Sequence, residues 1–305
     1  MERKNTPLVS IISVNYNQPQ FTLEFLASLR NITYPSFEII IVDNGSKEDP
    51  SELIKSQFPE VIMIVSKKNL GFAGGNNLGI RVAKGKYIMF LNNDTEVEPG
   101  FLEPIVNIME SNPKIGMASP KILFPDNNVL QYAGATDINP FTGRGRRYGD
   151  MEIDKGQYDV SKETLLCHGA AMIVPLEVIK EVGLMPEVFF LYYEELDWCA
   201  MVKRAGYKLY YVSDSKVYHK ESMSVGKSNP MKTYYLVRNR LVYMRRNVKG
   251  FKLVISMLFF MFFALPKNTF GFLIKGQFDH LKAYLRGVFW NLHNFDIFKN
   301  TKLTT

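Results

Sequence analysis

Two groups of residues in this chain carry side chains able to do chemistry on a charged substrate. Asn92, Asn93 and Asp94 follow the apolar run KYIMFL. A carboxylate flanked by amides at the exit of a strand can hold a hard divalent cation, Mg²⁺ or Mn²⁺, bound to a diphosphate. Glu194, Glu195 and Asp197 form an acidic cluster far downstream, where Leu196, Cys199, Ala200, Val202 and Lys203 suit a helix that begins near Tyr193 and ends at Gly206. Carboxylates in a first helical turn are also favoured by the helix dipole alone, so the cluster by itself carries both a catalytic and a purely structural reading.

The elements that must position these groups come from the pattern over residues 8–94. Short apolar runs (LVSIISV, FEIIIV, VIMIV, KYIMFL) alternate with helical patterns over 21–29, 51–58 and 76–83. That alternation predicts an α/β fold with a mostly parallel sheet covered on both faces. Such sheets bind ligands at the carboxyl ends of their strands. The first strand ends in Asn15 and Asn17, the second in Asp43, the third runs into a Gly- and Asn-rich loop at 69–77 (Asn69, Gly71, Gly74, Asn76), and the fourth ends in Asn92–Asn93–Asp94. Any one of these could be ordinary turn chemistry, but four successive strand ends make a polar rim. The glycine-rich loop fits neither a P-loop nor GxGxxG, so NTPase and dinucleotide-dehydrogenase readings weaken. Its backbone amides, just ahead of a helix, suit a phosphate or ribose. Residues 120–165, with FTGRGRRYGD at 141–150, read as a long excursion that could cover an acceptor. Order returns in a strand-like run at 165–174, a helix at 175–182, and a strand-like VSDSKVY ahead of His219.

The formal charge of +7 is unevenly divided: residues 1–219 hold 22 Lys+Arg against 27 Asp+Glu, whereas 220–305 hold 15 against 3, a net of +12. The same C-terminal segment contains LVISMLFFMFFAL at 253–265. An anionic membrane surface fits that pairing better than nucleic acid, for which no motif is present. Thirteen apolar residues fall short of the roughly 20 needed to cross a bilayer, so the run is expected to lie in the interface or pack on the protein. The N-terminus reads as a first strand and not a signal peptide, and Cys167 and Cys199 make no disulfide framework, so a reducing cytoplasm is expected.

Taken in order, VSIISVNYN (9–17), IIIVDNGS (39–46), NLGFAGGNNLGI (69–80), YIMFLNNDTEVEPGFL (87–102), GAAMIVP (169–175), YYEELDWCAMVKRAGY (192–207), VYHKESMSVG and YYLVRNR resemble the motifs of family 2 glycosyltransferases of the GT-A fold, rhamnosyltransferase-type members in particular. The resemblance implies a catalytic domain over 1–245, with a nucleotide-sugar half to about 120 and an acceptor half to 245, and a basic, apolar, helical membrane-associating extension over 246–305. It implies that Asp43 meets the nucleobase, that the 69–77 loop passes ribose and diphosphate, that Asp94 is the metal-proximal acid of a DXD-like motif whose first acid is here Asn92, and that His219 stands near the metal or diphosphate. Lys227 and Arg238 are further diphosphate candidates. Glu195 matches the catalytic base of inverting relatives, Asp197 is the second candidate, and Glu194 could position either. The expected reaction is single-displacement transfer of a sugar, possibly rhamnose, from a nucleotide-diphosphate donor to a hydroxyl of a growing bacterial surface polysaccharide or lipid-linked oligosaccharide, on the inner face of the cell membrane. A nucleotidyltransferase and a catalytically inactive glycan- or nucleotide-binding homologue are the alternatives.

Overall fold

A computed structural model describes residues 6–220, 229–295, 297–298 and 302–303. The apolar runs become strands β1 (Val9–Asn15), β2 (Phe37–Asp43), β3 (Ile62–Val65) and β4 (Tyr87–Leu91). Their partners are helices α1 (Pro19–Leu29), α2 (Ser51–Gln57) and α3 (Gly71–Ile80). These four strands pair in parallel in the order β3-β2-β1-β4. All five residues of β4 and six of the seven in β1 are buried, as expected for strands with helices on both faces.

Beyond β4, past the residues 8–94 whose alternation implies a mostly parallel sheet, the sheet is mixed. After β5 (Thr95–Val97), α4 (Leu102–Ser111), β6 (Ile115–Leu123), β7 (Leu130–Tyr132) and β8 (Lys162–Thr164), strand β9 (Ala171–Pro175) lies antiparallel to β4, with Leu91 opposite Ala171. Helices α5 (Leu176–Val182) and α6 (Glu194–Arg204) follow, then β10 (Lys208–His219), and the ten-stranded sheet continues β9-β6-β10-β5. The boundary near residue 120 falls inside β6, so one sheet runs through both proposed halves. Because β9 returns from the long excursion beside β4, it brings residues 168–170 to the same end of the sheet as Asn92–Asp94; Asn92 N donates to Ala170 O at 3.0 Å.

The excursion is tied down. Lys121, fully buried in β6, sends its ammonium to Asp154 (2.8 Å) and Asp159, a pairing that makes the burial of its charge tolerable. At its far end, residues 136–146 fold back through Thr136 N to Arg146 O (2.9 Å) and Asn139 N to Arg144 O (3.0 Å).

After α7 (Pro230–Asn247), helices α8 (Gly250–Phe259) and α9 (Leu265–Ile274) are joined through a π-helical turn, Phe260–Ala264, and α10 (Phe278–His293) folds back. Proline inside an α-helix removes a hydrogen bond and clashes with the preceding turn, and the widened turn ahead of Pro266 accommodates it. The helix therefore runs unbroken over Gly250–Ile274, 25 residues that include an 18-residue stretch of mean hydropathy 1.6, long and apolar enough to cross a membrane. It is longer than the run read from sequence, because it continues past Lys267. One side packs on α7 and α10 through Val237, Leu241, Phe260 and Tyr284. The other side is bare: Phe251 is 77% and Phe263 67% exposed.

Candidate active site

One cavity of about 700 Å³ opens at the strand ends. Asn92, Asn93 and Asp94 at the β4 exit, Asn69 and Gly71 at the head of α3, Glu194 and Glu195 at the head of α6, and His219 at the end of β10 all line it. Of the expected polar rim, Asn69, Gly71 and Asn92–Asn93–Asp94 reach this lining.

On the β4 side, His219 Nδ1 is 2.8 Å from Gln131 Oε1. A carboxamide oxygen only accepts, so the ring proton sits on Nδ1. Nε2 then faces Asp94 Oδ1 at 3.3 Å and Asn92 Nδ2 at 3.3 Å. A lone pair on Nε2 would face that carboxylate, a pairing that a divalent cation held by both would relieve. Asp94 and His219 therefore fit a divalent metal, with Gln131 as the outer partner that fixes the ring. Among the described residues no three His, Cys, Asp or Glu side chains gather as a cage, so a metal held here would need oxygens from its substrate.

Glu195 is partly exposed, to the cavity, while Glu194 is 3% exposed. Burial raises the carboxyl pKa of both. For Glu194, burial and then the charge of Glu195 push it well above the ordinary range; for Glu195, hydrogen bonds from nearby backbone and the cation of Arg147 work against the rise. Among the described residues Glu194 Oε2 has no hydrogen-bond partner. Burial and the neighbouring charge thus favour the proton on Glu194 over Glu195, whose side chain faces the cavity.

The loop leading into α6 is strained. Phe190, Tyr192 and Tyr193 have φ of 65°, 69° and 77°, unfavourable for side chains with a Cβ. Asn239 of α7, fully buried, holds it: Nδ2 lies 2.9, 2.7 and 2.8 Å from the carbonyls of Phe189, Leu191 and Tyr192. From the other side Phe72 N donates to Phe190 O at 2.7 Å. Gly71 permits that approach, because a Cβ there would stand 2.1 Å from Phe190 O.

Several expected residues support the cavity from outside its lining. Asp43 accepts from Asn15 Nδ2 (2.7 Å) and Ser46 Oγ (2.6 Å), and Asn15 Oδ1 accepts from Thr22 (3.0 Å), linking the ends of β1 and β2. Asn17 pairs with Ser46 Oγ and Lys47 N. Gly74 and Asn76 lie within α3, which begins at Gly71 and replaces most of the expected loop; Gly75 and Gly79 let that helix press onto Val14 and Ile12 of β1. Asp197 is sealed away from the cavity, its oxygens taken by Arg246 (2.8–3.1 Å) and Asn247. Arg238 donates to Val188 O and stacks on Trp290 at 4.1 Å, outside the lining of the cavity. Lys227 lies outside the described residues.

Sequence reading passed over Arg147, His168 and Tyr235 in the lining, and set Tyr16 and Asn44 at strand ends of the polar rim without a role. Asn44 Nδ2 reaches Asn69 Oδ1 (3.1 Å) and Gly71 O (2.9 Å), and its position in DNGS was the one available signal. His168 Nδ1 accepts from Ala170 N at 3.2 Å and Nε2 lies 3.2 Å from Arg147 Nη1, and burial together with Arg147 and His219 holds its pKa well below the ordinary imidazole range.

The model of glycosyl transferase family 2 matches residues 10–175. An uncharacterized glycosyltransferase of Haemophilus influenzae is 27% identical over 98% of this chain and 96% of its own. The low-salt glycan biosynthesis hexosyltransferase Agl10 of Haloferax volcanii is 26% identical over 64% of this chain and 62% of its own. This chain spans 56% of the length of a 29% identical Rickettsia typhi glycosyltransferase. A mannosyltransferase of Pyrobaculum calidifontis, solved in complex with GDP-Man and Mn²⁺, superposes with a TM-score of 0.58 over 96% of this chain and 77% of its own at 15% identity, a likeness of fold. With its GT-A sheet and a match over more than half its length, the chain belongs to glycosyl transferase family 2.

Proposed function

We propose that this chain is an inverting glycosyltransferase that moves a sugar from a nucleotide-diphosphate donor to a hydroxyl of a lipid-linked glycan in surface polysaccharide synthesis. One observation carries the reading: the Asp94–His219 pair and the Glu195 carboxylate line a single cavity. The donor's diphosphate lies toward β4, where Asp94 and His219 Nε2 would hold its cation and Asn92 and Asn93 its oxygens. A divalent cation bound there neutralises charge developing on the leaving nucleoside diphosphate. Glu195 takes the proton of the acceptor hydroxyl as that oxygen attacks the anomeric carbon from the opposite face; the bond to the diphosphate breaks and configuration inverts. Glu194, protonated, is placed to donate a hydrogen bond into the same cavity. The GDP-Man and Mn²⁺ of the structural neighbour and the glycan role of the Haloferax relative support donor and metal class; rhamnose as the sugar rests on motif resemblance alone. The bare face of the helix over Gly250–Ile274 and the +12 charge around it support peripheral docking on the inner, anionic membrane face.

Glu195→Gln tests the core of this reading. Transfer should fall by about 10²–10⁴-fold, the usual worth of a general base, while nucleotide binding measured by calorimetry is retained. Unimpaired turnover would remove Glu195 from the chemistry.

A further inference from the structure

A second cavity of about 230 Å³ shares Arg147, His168 and Glu195 with the first. Its volume is below the range of about 300–1,000 Å³ typical of whole small-molecule sites, so it takes one ring or one small charged group. The floor is apolar, with Ile138, Leu166 and Leu196, and the rim is cationic, with Arg146 and Arg147. Glu195 is the one carboxylate among its lining. Arg147 is partly balanced by Asp150 at 2.8 Å, whereas Arg146 makes no ion pair among the described residues. The segment that carries them is fixed at two points: Tyr193 OH donates to Gly143 O at 3.0 Å, and Ser256 Oγ of α8 donates to Phe141 O at 3.1 Å. The arginines are therefore presented next to the base by a loop that also touches the apolar C-terminal helix.

We infer that this smaller cavity is an acceptor subsite specific for an acceptor that carries an anionic group, a phosphate or a carboxylate, close to the hydroxyl that reacts. The inference rests on the glycosyltransferase reading. A base must touch the acceptor and not the leaving group, and Glu195 is common to both cavities while Asp94 and His219 line the larger one alone. With the donor in the larger cavity, the acceptor hydroxyl meets Glu195 from the smaller one. Arg146 and Arg147 then supply charge-assisted hydrogen bonds to an anion at the rim, and the His168 ring, common to both cavities, stands between that anion and the metal side.

The test uses the full-length protein saturated with whichever of UDP, GDP or dTDP binds in the presence of Mg²⁺. It is titrated with methyl phosphate and with glucuronate, glucose serving as the neutral control, and binding is read by ligand-observed NMR. Binding of methyl phosphate alone assigns the anion to a phosphate, and binding of glucuronate alone to an acidic sugar. In either case affinity over glucose should fall at least tenfold in Arg146→Gln, with nucleotide affinity unchanged as the control for folding. Anions that bind no better than glucose, or equally well to Arg146→Gln, overturn the subsite. Failure of the parent reading looks different: no nucleotide and no nucleotide sugar would bind at all.

Discussion

Neighbouring carboxylates rarely share a protonation state in a confined cavity, and Glu194 and Glu195 follow that rule. Burial raises both, the charge of Glu195 raises Glu194 further, and Arg147 restrains the rise at Glu195. The base works only when ionised, so activity is gained as pH rises through its raised pKa. The acid limb of kcat/KM should therefore lie above the ordinary carboxylate range. Arg147→Met removes a cation that favours the ionised form and should move that limb to still higher pH; an unmoved limb would detach Arg147 from the base. Gln131 acts through His219 in a comparable way. Gln131→Leu frees the ring to protonate Nε2, and loss of such an outer partner typically weakens metal binding by about 10–100-fold, measurable as Mn²⁺ affinity in the presence of nucleotide.

At the scale of elements, α7 is the brace for α6. Arg246 and Asn247 occupy both oxygens of the fully buried Asp197, and Asn239 shares two N–H groups among three carbonyls of the strained turn at 189–192. Breaking a buried ion pair from one side costs about 3–5 kcal/mol, so Asp197→Ala should chiefly lower stability. Asn239→Ala differs. It leaves buried carbonyls unpaired at about 1–3 kcal/mol and releases the turn that aims Glu195. Its kcat should fall more than its donor KM rises, and a proportional change in both would assign it to packing alone. The physical reason Asp197 and Glu195 part company is helical geometry: at about 100° per residue, side chains two apart face different directions.

The whole molecule divides by charge and by exposure in the same place. The first 219 residues are net acidic and their apolar side chains form one core, whereas the last helices combine +12 with Phe251, Phe262, Phe263 and Ile274 left in the open. An exposed patch of this kind marks an interaction surface. Basic residues near an anionic bilayer contribute about 1 kcal/mol each, and insertion of the phenylalanines adds to that. The full-length protein should float with anionic liposomes, less in high salt, and Phe262→Glu with Phe263→Glu should leave it in the soluble fraction while donor hydrolysis persists. Equal flotation of that variant would reject docking through this face.

What the sequence determined by itself was local. Apolar runs of strand length, turn residues at their exits and the acidic head of one helix depend on neighbours a few positions away, so the sequence alone places Asp94 and Glu195 at strand and helix ends. The reversal at β9, the start of α3 at Gly71 and the unbroken helix to Ile274 depend on what lies alongside, and periodicity is silent about that. Gln131, Arg147 and His168 carry no motif: a glutamine in a short strand, an arginine in a glycine-rich loop and a histidine before β9 acquire roles only because the mixed sheet and the excursion bring them to His219 and Glu195. Asp197 and Arg238 show the converse. Their charges look functional in one dimension, and the tertiary structure spends Asp197 on holding α6 to α7 through Arg246, because a buried charge is stable only beside its partner, and Arg238 on tying α7 to the carbonyl of Val188 and the ring of Trp290.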